Sequence, residues 1–216
     1  MSRNRLTALG ERPMLAMALL PGAIAVNLGV SYLVNLLKLP AFGDSWGTFT
    51  MGALFGPWVG AVTGIASNLA GGVIVNPYMP AYSLTAALVG AYAGLAARRG
   101  WLRSPWRAAV AGLILGICTA VVSAPVTTFL FSGVSAAGAF SYIVAFAVHS
   151  GQQILTATIF AGLVSDPIDK LITAVVVSLV IASLPKRHRA RFPGLREPSQ
   201  STSVTDGNGV GSNGGV

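Results

Sequence analysis

Lys38, Asp44, Ser45 and Thr48 form a polar group between two apolar runs, and Asn68, Asn76, Tyr78, Tyr82, His149, Gln152, Gln153, Asp169 and Lys170 follow at intervals. Polar groups set among apolar stretches are costly without a partner or a cavity, so these residues are the candidates for chemistry. Their types suit recognition by hydrogen bonding. Asp44 either accepts hydrogen bonds from a ligand or pairs with Lys38, and Asp44 or Ser45 is alternatively the N-cap of the next helix. Tyr78 and Tyr82 offer an aromatic face with a hydroxyl handle, or else anchor the chain at a membrane interface. Asn68 binds ligand or bonds another helix. The 149–153 cluster brings donors and acceptors with little fixed charge, although a lone histidine also serves as a packing residue. Asp169 and Lys170 make a charge pair, either beside a pocket or at a helix boundary.

The same residues argue against catalysis. No Gly-x-Ser-x-Gly occurs, since Gly29-Val-Ser31 and Gly133-Val-Ser135 continue without the second glycine. No two carboxylates are expected on one membrane helix, which removes acid–base pairs. His149 and His188 are far apart and Cys118 is the single cysteine, so neither a metal site nor an intramolecular disulfide is expected. A phosphate-binding Gly-x-x-x-x-Gly-Lys-Ser/Thr loop is absent from the sequence. The chain reads as a non-enzyme without a cofactor.

The elements that must position these groups follow from composition. Hydrophobic residues make up 53%, charged residues 9%, and mean hydropathy is +0.69. Those values describe an integral membrane protein in contact with the lipid bilayer. The net charge of +8 does not imply nucleic acid, because the basic residues gather at segment ends: Arg3, Arg5 and Arg12; Arg98, Arg99, Arg103 and Arg107; then Lys186, Arg187, Arg189, Arg191 and Arg196. Apolar segments cover 14–37, 46–55, 58–75, 81–97, 108–131, 139–164 and 168–184. Ala23-Ile24-Ala25 resembles a signal cleavage site, but apolarity continues to Leu37, a length suited to a spanning helix.

Cytoplasmic basic termini and a cytoplasmic 98–107 loop require an even number of crossings. The expected fold is therefore an all-α, multi-pass bundle of six transmembrane helices in the cell membrane, with both termini cytoplasmic. Segment 46–75 must start and finish outside, with a short second helix broken at Gly56-Pro57. Segment 139–164, rich in Ser141, Thr156 and other polar residues, becomes an extra re-entrant or external element. A seven-helix protein with an external C-terminus is the rival topology. Residues 1–12 form a basic cytoplasmic N-terminus, 13–185 a single membrane-embedded domain, and 186–216 a basic, then disordered, tail. Glycines spaced by four, Gly52/Gly56/Gly60/Gly64, Gly90/Gly94 and Gly112/Gly116, predict close helix packing.

The run Asn35-Leu-Leu-Lys38-Leu-Pro40-Ala-Phe-Gly-Asp44-Ser45-Trp-Gly-Thr48, followed by Gly52, Gly56-Pro57, Gly60, Gly64 and Asn68, resembles the substrate-binding S component of energy-coupling factor transporters. Asp166-Pro-Ile-Asp169-Lys170 before a last helix and a basic tail is similar to that family too. The resemblance implies capture of a small water-soluble vitamin or vitamin precursor under a lid formed by the first loop. It also implies partnership with a membrane coupling subunit and two ATPase subunits. The family's Ala-x-x-x-Ala docking face on helix one is replaced here by Ala18/Gly22 and Ala25/Gly29, and the Met-His start of its nickel and cobalt relatives is missing. An oligomeric channel or scaffold without an ATPase module, or a membrane-embedded hydrolase, are the alternatives.

Overall fold

The computed structural model describes residues 3–39, 41–135, 138–185, 192 and 195. Among them the chain is all-helical: α1 (Arg3–Leu36), α2 (Trp46–Phe55), α3 (Pro57–Ile74), α4 (Ser83–Arg98), α5 (Pro105–Phe131), α6 (Gly138–His149) and α7 (Ile154–Ser183). Short 3-10 turns at Met79–Tyr82 and Trp101–Arg103 lead into α4 and α5. Most of the tail expected at 186–216 lies outside the described residues. Phe192 and Leu195 are described, and the Phe192 ring meets Phe55 edge-on at 5.6 Å.

Four stretches are long and apolar enough to cross a membrane: Met14–Leu36, Pro57–Ile74, Met79–Arg98 and Pro105–Phe131. They mark a multi-pass membrane protein. The distribution of side chains agrees, because it inverts the pattern of a water-soluble protein. Met17, Leu33, Val73, Val121, Phe146 and Leu179 are exposed, whereas Asn27, Thr63, Ser67, Thr119, Thr158 and Thr173 are buried. Lipid tails cannot satisfy polar groups, so hydroxyls turn inward and bond to carbonyls of their own helices. Thr63 donates to Val59 O, Thr127 to Ser123 O and Thr173 to Asp169 O.

Two glycine seams hold the bundle. A methyl group added at Gly60 or Gly90 would overlap the backbone of the other, and one at Gly52 would overlap Gly90 O, so α2, α3 and α4 meet backbone to backbone. Gly112 and Gly116 of α5 likewise press on Lys170 and Pro167 of α7, which runs antiparallel to it. Between seams, Gly56 has a different task from the one its spacing suggested. Its φ of 106° suits only glycine, and it ends α2 while Pro57 opens α3 with an amide that no helix would have used. This turn lies against the Arg98 side chain, at the bundle end that also carries the α4–α5 connection. The α1–α2 loop enters the bundle ahead of the ten-residue α2, with Gly43 and Ser45 buried.

The expected segments 139–164 and 168–184 are divided differently in the structure. The break falls at 150–153, where Gly151 adopts a φ of 89° and Gln152 N bonds back to Ala147 O, closing α6. Helix α7 then runs unbroken through Pro167. A proline costs a helix one hydrogen bond and a local clash, but membrane helices absorb it when neighbours pack closely, as Gly116 does here. Asp166, Asp169 and Lys170 thereby fall in the middle of a helix and not at its start.

Gly90→Ala should lower the melting stability of the detergent-purified protein by roughly 1–3 kcal/mol, the usual cost of overpacking. Gly22→Ala, where an added methyl meets nothing within 4 Å, should leave it unchanged or slightly raised. Thermal unfolding of the two variants side by side checks the seam.

Candidate ligand-binding site

Polar residues on α1, α2, α3 and α7 converge at mid-bundle because each lies on the face its helix turns inward. Asn27 of α1 is fully buried, donates to Thr48 Oγ1 and Ser67 Oγ at 2.8 Å each, and accepts from Gly47 N at 2.6 Å. One amide thus ties α1 to α2 and α3. Gly47 itself touches the Ala23 carbonyl so closely that any side chain there would overlap it. Asn27 was not among the residues singled out from sequence, since a lone asparagine in an apolar helix has no spacing to betray it.

The loop between α1 and α2 is fastened to the middle of α7. Gly43 N donates to Asp169 Oδ1 at 2.9 Å. Lys170 Nζ donates to Asp169 Oδ2 at 2.6 Å, to Ser45 Oγ at 2.6 Å and to Asp44 Oδ1 at 3.3 Å, and the Ser45 hydroxyl in turn donates to Asp44 Oδ1 at 2.6 Å. Asp169 and Lys170 are each 3% exposed, while the Asp44 side chain keeps 29% of its surface open. Burial pushes the Asp44 carboxyl up, but the Lys170 ammonium and the Ser45 hydroxyl together outweigh it and hold the group below its ordinary value. Asp44 is therefore an anion in this setting.

Beside this latch lies a narrow cleft with a cavity volume of about 40 Å³. Phe42, Asp44 and Ser45 of the loop form one side, with Asn68 of α3, Tyr82, Thr85 and Val89 around α4, and Ser123 and Thr127 of α5. Asp166 and Lys170 come from α7, Ser135 from the α5–α6 connection and Phe140 from the first turn of α6. Ser135 N bonds to Ser141 Oγ at 2.9 Å, and the Phe140 ring stands 5.7 Å from Phe42. Tyr82 Oη and Thr127 Oγ1 share a hydrogen bond of 2.9 Å. The lining mixes aromatic faces with convergent polar groups, the usual make-up of a small-molecule site.

The structure sorts the sequence candidates into three groups. Asp44, Ser45, Asn68, Tyr82 and Lys170 line the cleft. Thr48 and Asp169 are buried just behind it as supports, Thr48 to Asn27 and Asp169 to the loop. The remaining candidates lie elsewhere. Lys38 is exposed and makes no ion pair with Asp44, whose partner is Lys170. Asn76 bonds its own turn through Tyr78 N at 2.9 Å, and the Tyr78 ring packs on Phe131. His149, Gln152 and Gln153 are exposed at the α6–α7 turn, where the polar cluster serves a helix junction. Ser45 is the residue before α2, yet its hydroxyl makes no cap bond because Lys170 and Asp44 engage it. Asp169 and Lys170 pair inside a helix and not at a boundary. Asp166 and Asp169 share α7, against the expectation that no two carboxylates would occupy one membrane helix. Among the described residues no group of acidic, histidine and cysteine side chains could hold a metal ion.

Asp166, Phe42, Ser135 and Thr127 are lining residues that sequence reasoning missed. For Asp166 a signal existed: it stands four residues before Lys170, which puts both on one face of a helix once the helix is read through Pro167. Asp169→Ala should cost about 3–5 kcal/mol of stability, the penalty for stripping a partner from a buried charge. Unfolding of the detergent-purified variant measures it. Compared with known proteins, the chain matches no family model, no curated protein and no solved structure.

Proposed function

We propose that this chain is the substrate-specific membrane subunit of an energy-coupling factor importer, capturing a small water-soluble vitamin or vitamin precursor. The observation that supports this most directly is the α1–α2 loop fastened across a polar cleft by Asp44, Ser45, Asp169 and Lys170. A loop that contributes lining residues and is held by a few breakable polar bonds is suited to admit a ligand and close over it.

In this reading the chain crosses six times: α1, then the α1–α2 loop and α2 together, then α3, α4, α5 and α7, with the α2–α3 turn at the inner end. Helix α6 does not cross, because its twelve residues reach about 18 Å against a hydrocarbon core of roughly 30 Å. Its buried face, Phe140, Val144 and Ala147, packs with Ala157 and Ala161 in the first half of α7. The antiparallel α5–α7 pair brings the Arg98, Arg99, Arg103 and Arg107 region to the same end as the α7 C-terminus, which supports a common cytoplasmic side.

Docking to a coupling subunit is assigned to α1. Ala18, Gly22, Ala25 and Gly29 are all exposed along one face, and methyl groups added at Gly22 or Gly29 would meet nothing within 4 Å. Small residues left unused inside the molecule suit close approach by another membrane helix.

Titration of the detergent-purified protein with B vitamins and their precursors, followed by fluorescence of Trp46 beside the loop, should give saturable binding with a dissociation constant of about micromolar or tighter. A folded protein that binds nothing across the panel overturns the reading. Asp44→Ala should weaken the binding about tenfold or more, as expected for loss of a charge-assisted contact. Undiminished affinity would remove the loop from the site. Replacing both Gly22 and Gly29 with leucine should leave binding intact while abolishing co-purification with the coupling subunit and ATPases.

A further inference from the structure

Asp166 is 4% exposed and lines the cleft, yet only half of its carboxylate is satisfied. Oδ1 accepts from Thr119 Oγ1 at 3.2 Å, a hydroxyl shared with Gly116 O at 3.0 Å, and Oδ2 is buried with no hydrogen-bond partner among the described residues. A buried acceptor left without a donor is expensive, and in native proteins such a group calls for an explanation. The neighbouring cation does not supply one. Lys170 stands one helical turn away, but its ammonium already meets Ser45, Asp44 and Asp169, an acceptor for each of its three hydrogens.

Charge counting sharpens the point. Lys170 faces two carboxylates, Asp44 and Asp169, before Asp166 is considered, and no other basic side chain lines the cleft. The site is formally short of positive charge, and the unfilled valence is an acceptor. An incoming carboxylate or phosphate would meet Asp44 and Asp166 with no free cation to receive it. A positively charged nitrogen would find Asp166 Oδ2 open and the rings of Phe42, Tyr82 and Phe140 nearby, faces that also favour cations.

We propose that Asp166 anchors the ligand through Oδ2, and that the ligand is a small nitrogen compound bearing a positive charge, such as a cationic heterocycle or a protonated amine. This rests on the importer-subunit reading and names its substrate class. Ionic contact in a water-poor cleft selects by charge before shape, because a mismatched ligand would leave two carboxylates facing it.

The test is a charge-ranked titration of the purified full-length protein at one pH and salt concentration. Thiamine and pyridoxamine serve as cationic probes, pyridoxine and riboflavin as neutral ones, biotin and pantothenate as anionic ones. Pyridoxamine and pyridoxine share a ring and differ in an amine against a hydroxyl, so that pair isolates charge. Saturable binding confined to a cationic probe is expected, with Asp166→Asn weakening it about ten- to a hundredfold while the ligand-free melting temperature does not fall. Tight binding of a neutral or anionic probe overturns the charge assignment and leaves the importer reading standing. Cation binding that Asp166→Asn does not alter overturns the anchor. Absence of binding by every probe removes both. Should the asparagine variant not fold, the ranking of probes on the unaltered protein decides alone.

Discussion

A buried ammonium group organises this molecule. Lys170 sits in the middle of α7 at 3% exposure, where an unpaired charge would be prohibitive. Its neutralisation requires oxygen atoms from its own helix and from the loop after α1, and that requirement pulls the loop down into the bundle. The position of the cleft and the burial of Asp169 both follow from it. The same bonds that satisfy the lysine define one wall of the cavity.

The bundle around that charge is assembled from small residues. In lipid there is little hydrophobic gain from bringing helices together, so contact comes from close backbone approach and from polar bonds that have no competitor. The α3–α4 and α5–α7 seams supply the first, and Asn27 supplies the second for α1. Gly112 and Gly116 press on α7 at Lys170 and Pro167, so the packing that tolerates the proline also holds the charged stretch in place.

Much of the fold was legible in the sequence because apolarity, glycine spacing and the Gly56-Pro57 break are local signals. Helices α2 to α5 begin and end near the edges of their apolar segments, whereas α1 begins at Arg3, well before its segment and within the stretch expected as a basic N-terminus. The failure came at 139–184, where Asp166-Pro167 looked like a boundary and Gly151 did not. Polarity and proline mark helix ends in water, whereas here the helix continues because its neighbours are close enough to repair it. The misplaced boundary carries the site errors with it: Asp166 falls between the expected segments 139–164 and 168–184, and the 149–153 cluster, expected inside a segment, lies at an exposed turn away from the cleft. Long-range pairings such as Asp44 with Lys170 span most of the chain, and no local pattern encodes them. Asp44 and Tyr82 were found because a polar residue near an apolar run is conspicuous wherever its partner lies.

Polar bonds join α1 to the rest of the described residues in two places a short distance apart, the Asn27 side chain and the loop that leaves Leu36 and enters the cleft wall at Gly43, beside the packing of Ala23 on Gly47 and Leu28 on Gly71. No third polar tether to the long arm of α1 is present among the described residues, and its small-residue face is open to the surroundings. The outer face of α1 and the roof of the cleft are therefore linked through the α1–α2 loop and the Gly43–Asp169 bond, a path that does not pass through the glycine seams.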